Sequence, residues 1–129
     1  SAKDSANRKS NHKNIGTIKQ SNLCCEIYQF TDETTTAICT LSSMVLKNFV
    51  TDGKFDYQLL LNETKKVVRA LNNVIDINSY STDKGLKGGL EQRAIAIGIQ
   101  GLADVFYIMD YVFTSDEAKL LNKNIFETI

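Results

Sequence analysis

At 129 residues, with 43% hydrophobic and 23% charged side chains, the chain is long enough to bury a core and too apolar for intrinsic disorder. Fifteen basic residues cancel fifteen acidic ones, so no whole-chain field draws it to nucleic acid or to an anionic membrane. Its apolar runs, such as 94–100 and 102–109, are too short to span a bilayer, and the polar N-terminus is no secretory signal. Three cysteines and one histidine make neither a disulfide framework nor a zinc site, which fits a soluble chain in a reducing cytoplasm.

In chain order, residues 1–13 are polar and basic and read as a helix end, a linker or a flexible chain boundary. Alternation from Asn14 to Gln20 predicts a strand weakened by Gly16. A second extended run covers Asn22 to Phe30, a polar turn follows over 31–36, and a third extended run covers Ala37 to about Leu41. Phe55, Leu59, Leu60, Val67, Val68, Leu71, Val74 and Ile75 recur at helical spacing and predict a long core-facing helix. Residues 80–89, with glycines at 85, 88 and 89, predict a loop. Ala94 to Gln100 has the length and bounds of a buried strand. Leu102 to Tyr111 reads as a buried helix, and Thr114 with Glu117 has the form of a capping box opening a last helix. Strands alternating with helices place residues 1–129 in the α/β class as one segment.

The stretch Ser21-Asn22-Leu23-Cys24-Cys25-Glu26-Ile27 carries the chemistry. On an extended strand Asn22, Cys24 and Glu26 project to one side and Leu23, Cys25 and Ile27 to the other. Asn22 to Glu26 would then span about 13 Å, the scale of a nucleoside. A hairpin centred between Thr31 and Asp32 would set Cys24 opposite Cys39, with Cα atoms about 4.5 to 5.5 Å apart. Centring the turn two residues later would instead place Ile27 near Thr40. Packing is the commoner role of a free cysteine, so the residues alone leave packing and reactivity both open.

Several ordered motifs resemble a known family: Asn7 to Asn11, Gly16 to Lys19, Ser21 to Cys24 with Glu26, and Ala37-Ile38-Cys39-Thr40-Leu41-Ser42. The series continues with Asn72 to Asn78, Ile97 to Asp104, Leu120 to Lys123 and Ile125 to Ile129. Together they resemble the finger-loop region of the large subunit of class I ribonucleotide reductase. The resemblance implies a fragment of a ten-stranded α/β barrel that includes the finger loop. It implies that Cys24 becomes a thiyl radical removing the 3′ hydrogen of a ribonucleotide, with Glu26 accepting the 3′ hydroxyl proton and Asn22 holding the ribose hydroxyls. Cys39 matches one member of the reducing pair that ends as a disulfide.

No cofactor is expected in this chain. The resemblance implies a diiron-tyrosyl radical in a separate small subunit, thioredoxin or glutaredoxin as reductant, a ribonucleoside diphosphate substrate, and the remainder of the large subunit as partner. The isolated chain is expected not to turn over ribonucleotides, because the second reducing cysteine, phosphate loop and allosteric sites lie outside it. Cys25 stands where the family usually has a non-thiol residue and reads as packing; Ala6 stands where cysteine is frequent. The alternative is an inactive assembly module complementing another chain of a split reductase. A nucleic-acid binder built on Lys3, Arg8, Lys9, His12 and Lys13 is disfavoured, because that cluster lacks interleaved aromatics. His12 reads as a solvated loop residue.

Overall fold

The computed structural model describes residues 2–129 and mixes helices with short strands, as the α/β class requires. In chain order it contains α1 (Lys3–Lys9), a 3-10 turn (Asn11–Asn14), β1 (Thr40–Val45), a second 3-10 turn (Leu46–Phe49), β2 (Val50–Thr51) and β3 (Lys54–Phe55). There follow α2 (Tyr57–Ile77), α3 (Asp83–Gln92), β4 (Ile95–Gln100), α4 (Leu102–Ile108) and α5 (Asp116–Thr128). β1 is hydrogen-bonded to β4, and β2 pairs antiparallel with β3, Val50 facing Phe55. That hairpin turns on Asp52 and Gly53, both at positive φ, the backbone a primed two-residue turn demands.

The chain divides into two compact units, one formed by residues up to 40 with 74–94, the other by 41–73 with 95–129. The second unit is built around Met44, Leu46, Phe49, Leu60, Val105, Phe106, Ala118, Leu121 and Ile125, all buried. The long helix forms where the periodicity predicts it: Leu60, Thr64, Val67 and Leu71 follow one face of α2 at alternating spacings of four and three. Asp56 opens it, its carboxylate accepting from the Leu59 N–H at 2.8 Å, as an N-terminal cap should. β4 also lies within the predicted strand.

Two helix ends differ from expectation. α4 stops at Ile108 and not at Tyr111. Tyr111 N–H donates to the Phe106 carbonyl and Asp110 N–H to the Tyr107 carbonyl, with Asp110 at φ 56; this is a Schellman ending with aspartate where glycine is usual. α5 is capped one residue later than predicted, by Ser115, whose hydroxyl accepts from Ala118 N–H at 3.2 Å. Asp116 and Glu117 then occupy its first turn, where acidic charge suits the helix dipole.

The first unit departs further. The predicted loop over 80–89 is largely helix: Thr82 caps α3 by accepting from Gly85 N–H at 3.1 Å. Its three glycines are buried for close packing. A Cβ at Gly88 would fall on the Thr36 carbonyl oxygen, and one at Gly89 would come within 2.5 Å of the Tyr80 ring. The strands expected over 14–20 and 22–30 do not form, and the third run joins a ladder only from Thr40 onward. Residues 14–39 are instead held by side-chain to backbone bonds, which position the candidate site.

Candidate active site

The site residues sit on a long loop between α1 and β1, tied down at several points. Asn7 of α1 grips the backbone of Ile18 from both ends: its amide donates to the Ile18 carbonyl and its oxygen accepts from Ile18 N–H, each at 2.8 Å. Ile18 is fully buried. Farther along, Phe30 is held twice, its N–H donating to His12 Nδ1 at 3.1 Å and its carbonyl accepting from Gln92 of α3 at 3.0 Å. His12 is thus a half-buried anchor and not a solvated loop residue. It must present an unprotonated Nδ1 to make that bond. The loop 31–37 is closed by Asp32, whose carboxylate accepts from the N–H groups of Thr34 and Thr35, both at 2.8 Å. These bonds hold its carboxyl below the usual range.

Between these anchors the chain turns sharply. Cys25 N–H donates to the Asn22 carbonyl at 3.2 Å, closing a tight turn with Leu23 and Cys24 at its two central positions. The expected alternation therefore fails. Asn22, Cys24 and Glu26 do not lie along a strand, and the 13 Å span collapses because the chain doubles back. Asn22 braces the turn from its side chain too, its Oδ1 accepting from Ile27 N–H at 3.0 Å. Its oxygen is thereby committed to the loop, and Nδ2 is the end left to face a ligand. Leu23 is 98% exposed, and Cys24 and Cys25 are free and exposed. Cys25 is not packing: it takes φ 65 and its thiol lies 3.5 Å from the Ser21 hydroxyl and 3.8 Å from the Leu23 carbonyl.

The hairpin centred between Thr31 and Asp32 is also corrected. Asp32 N–H donates to the Thr35 carbonyl at 3.0 Å, so the reversal is centred two residues later, where the Asp32 carboxylate can bind the turn amides. That is not the centre that would set Cys24 opposite Cys39. Cys39 is half-buried and free. Burial pushes its thiol pKa up, a hydrogen bond from the Gln29 side chain opposes this, and the Glu26 charge adds to the rise. The fold thus brings Glu26 within electrostatic reach of Cys39. Gln20, Ser21, Asn22, Ile27, Gln29, Thr31, Thr36 and Ala37 line a cavity of about 160 Å³. Asn7, His12, Gln29 and Gln92 were not singled out from sequence as site-positioning residues. Only Asn7 carried a signal, lying within one of the ordered motifs.

Among the described residues, no group of three or more His, Cys, Asp or Glu is placed to hold a metal ion. None of the described helices is long and apolar enough to cross a membrane.

The family described as the ribonucleotide reductase barrel domain matches residues 1–129. The chain belongs to that family. It is 50% identical over 127 residues to the ribonucleoside-diphosphate reductase large subunit of Vaccinia virus (strain Copenhagen), covering 98% of this chain and 16% of that protein. The corresponding large subunit of Caenorhabditis elegans is 49% identical over 128 residues, and the large chain of Schizosaccharomyces pombe 46% over 127. Each comparison covers 98% of this chain and 16% of the relative, so the chain spans about one sixth of the curated relatives it matches. For a ribonucleotide reductase barrel segment, an anchored loop with thiols at its tip is the feature to explain.

Proposed function

We propose that these residues form the radical-bearing part of an enzyme that reduces ribonucleoside diphosphates to deoxyribonucleotides. What supports the reading most is the turn at Asn22 to Cys25, which exposes Cys24 at its tip within a chain that matches the reductase barrel family throughout. Cys24, as a thiyl, takes the hydrogen atom from C3′ and becomes a thiol. Glu26 accepts the 3′ hydroxyl proton while the Asn22 amide N–H holds the sugar oxygens. The 2′ hydroxyl leaves with a proton as water. Cys39 and a second thiol from elsewhere in the enzyme supply the two electrons and two protons and become a disulfide, and Cys24 returns its hydrogen atom to C3′. Net, one ribonucleotide and two thiols give one deoxyribonucleotide, water and a disulfide.

The partners in this proposal are a ribonucleoside diphosphate, the rest of a large subunit, and a separate small subunit whose diiron-tyrosyl centre supplies the oxidising equivalent. Thioredoxin or glutaredoxin would reduce the disulfide. The cytoplasm, where thiols stay reduced, is the proposed compartment.

The test uses the complete polypeptide carrying these residues, assayed with a small subunit, thioredoxin and a ribonucleoside diphosphate. Cys24→Ser should abolish product formation, and Cys39→Ser should abolish thioredoxin-dependent turnover. Undiminished product from Cys24→Ser would refute the reading.

A further inference from the structure

Cys25 is a thiol that the proposed reaction leaves unused. Cys24 and Cys25 are both free and both exposed, adjacent on the turn that Cys25 N–H closes by donating to the Asn22 carbonyl. The Cys25 side chain is folded back along the chain. Its thiol lies 3.8 Å from the Leu23 carbonyl, and that carbonyl belongs to the peptide unit leading into Cys24. The Ser21 hydroxyl, 3.5 Å away, donates to the same sulfur, so two contacts draw the Cys25 thiol back over the turn toward the residues that precede Cys24. Cys39 is less accessible, and the reversal at 32–35 does not set it opposite Cys24. Cys25 is therefore the thiol that this backbone keeps beside Cys24.

We propose that Cys25 is the resolving thiol of Cys24: in the presence of a low-molecular-weight disulfide such as oxidised glutathione, the two sulfurs join in a vicinal disulfide that holds Cys24 in an inactive, recoverable form. That the bond silences an enzyme rests on the reductase reading of Cys24; the bond itself does not. The Cys24 thiolate attacks the small disulfide, forms a mixed disulfide and releases one glutathione. Cys25, deprotonated, then attacks the Cys24 sulfur, and the second glutathione leaves. Net, two cysteine thiols and one oxidised glutathione give one protein disulfide and two reduced glutathiones, which carry away the two electrons and two protons. Exposure at the turn admits the oxidant to Cys24, and adjacency favours the second step over attack by another molecule. The bond is also easy to reopen. The peptide joining the two residues is trans and fixes their Cα atoms about 3.8 Å apart, short of the roughly 4.4–6.8 Å that disulfides usually span. Strained and exposed disulfides are the readily reduced ones, so a thiol reductant returns both residues to thiols.

The experiment uses the complete polypeptide carrying Cys39→Ser, so that trypsin, cutting after Lys19 and Lys47, leaves Cys24 and Cys25 as the only thiols within residues 20–47. The protein is incubated with oxidised glutathione, blocked with N-ethylmaleimide and read by mass spectrometry. The peptide should lose two hydrogens and take up no label, and dithiothreitol added before blocking should restore two labelled sites. With Cys25→Ser also present, Cys24 should instead accumulate as the glutathione adduct, at about tenfold or more the level seen when Cys25 is intact, because a tethered thiol acts as though present at millimolar concentration or above. Equal adduct on Cys24 with and without Cys25, two labelled sites at every oxidant concentration, or a disulfide joining residues 20–47 to another peptide would overturn the proposal. Failure of the reductase reading shows separately, as undiminished product from Cys24→Ser in the turnover assay.

Discussion

Removing the Asn7 side chain should loosen the whole candidate loop. Asn7→Ala deletes the two 2.8 Å bonds to Ile18 and leaves an N–H and a carbonyl unpartnered at a residue with no exposed surface. Each such group costs about 1–3 kcal/mol. Because the bonding atoms are only partly buried, water recovers some of it, and about 2–4 kcal/mol remains for the pair. At about 1.4 kcal/mol per tenfold, amide hydrogen exchange over residues 16–30 should accelerate roughly 30- to 700-fold. Hydrogen-deuterium exchange with peptide resolution measures this directly in the complete polypeptide. Arg8→Ala is the control: Arg8 is exposed and its side chain bonds only the Ser5 hydroxyl among the described contacts, so exchange should change by less than about threefold. Asn7→Asp tests the donor half, since it keeps the acceptor for Ile18 N–H but turns a carboxylate oxygen toward the Ile18 carbonyl. Exchange in Asn7→Ala within about threefold of the parent's would refute the claim that this pair anchors the loop.

Gly88→Ala should destabilise the first unit by about 1–3 kcal/mol or more, because the added methyl meets the Thr36 backbone oxygen and overpacking against backbone has no rotamer to relieve it; thermal unfolding of variant and parent checks it. Cys25→Gly should stabilise the turn by up to about 1 kcal/mol, since φ 65 strains a side-chain-bearing residue by roughly 1–2 kcal/mol and glycine returns part of that as unfolded-state entropy. Slower exchange at residues 22–27 would be the signature, and faster exchange would count against it. Asp76 is held below its ordinary carboxylate range by the hydrogen bond from Arg93, at 2.7 Å. Its contribution is therefore complete above that ordinary range and is lost as pH falls through the depressed value. The pair is solvent-exposed, so Asp76→Asn should produce only a small change in unfolding midpoint at neutral pH, vanishing in strong acid.

Elements with dense periodic signals were legible in the sequence. The apolar stripe of α2 and the apolar run of β4 decide their own structure because burying those faces outweighs local preference. Element ends were harder, since Asp110 does what glycine usually does and Ser115 displaces Thr114 as cap by one position. α3 was missed because its three glycines read as loop, whereas they are what lets a helix approach the Thr36 backbone and the Tyr80 ring. The Asp52-Gly53 hairpin turn was available as a dipeptide signal and was not used. The loop over 14–39 was the hardest. Alternation argues for strands only when a neighbouring strand supplies the ladder, and here Asn7, His12, Gln92 and Asp32 supply the backbone's partners instead. Such contacts across up to 62 positions leave no local pattern.

The same failure says something about the site. A strand would hold Asn22, Cys24 and Glu26 at fixed intervals with their backbone groups consumed by neighbours. A turn places one thiol at an exposed apex, and its rigidity must come from elsewhere. In this chain it comes from Asn22 bonding Ile27, from the two ends of the Asn7 amide, and from the double hold on Phe30. Under the proposed reductase reading, misplacing a reacting group by about 1 Å can cost roughly 100-fold in rate, so these anchors are where that proposed activity should be most sensitive outside Asn22, Cys24 and Glu26. His12→Phe tests this. It keeps an aromatic ring but removes the acceptor for Phe30 N–H, so kcat of the complete enzyme should fall while Cys24 itself remains fully alkylatable. Unchanged kcat in His12→Phe, with exchange at Phe30 accelerated, would show that the loop tip does not depend on this anchor for its working geometry.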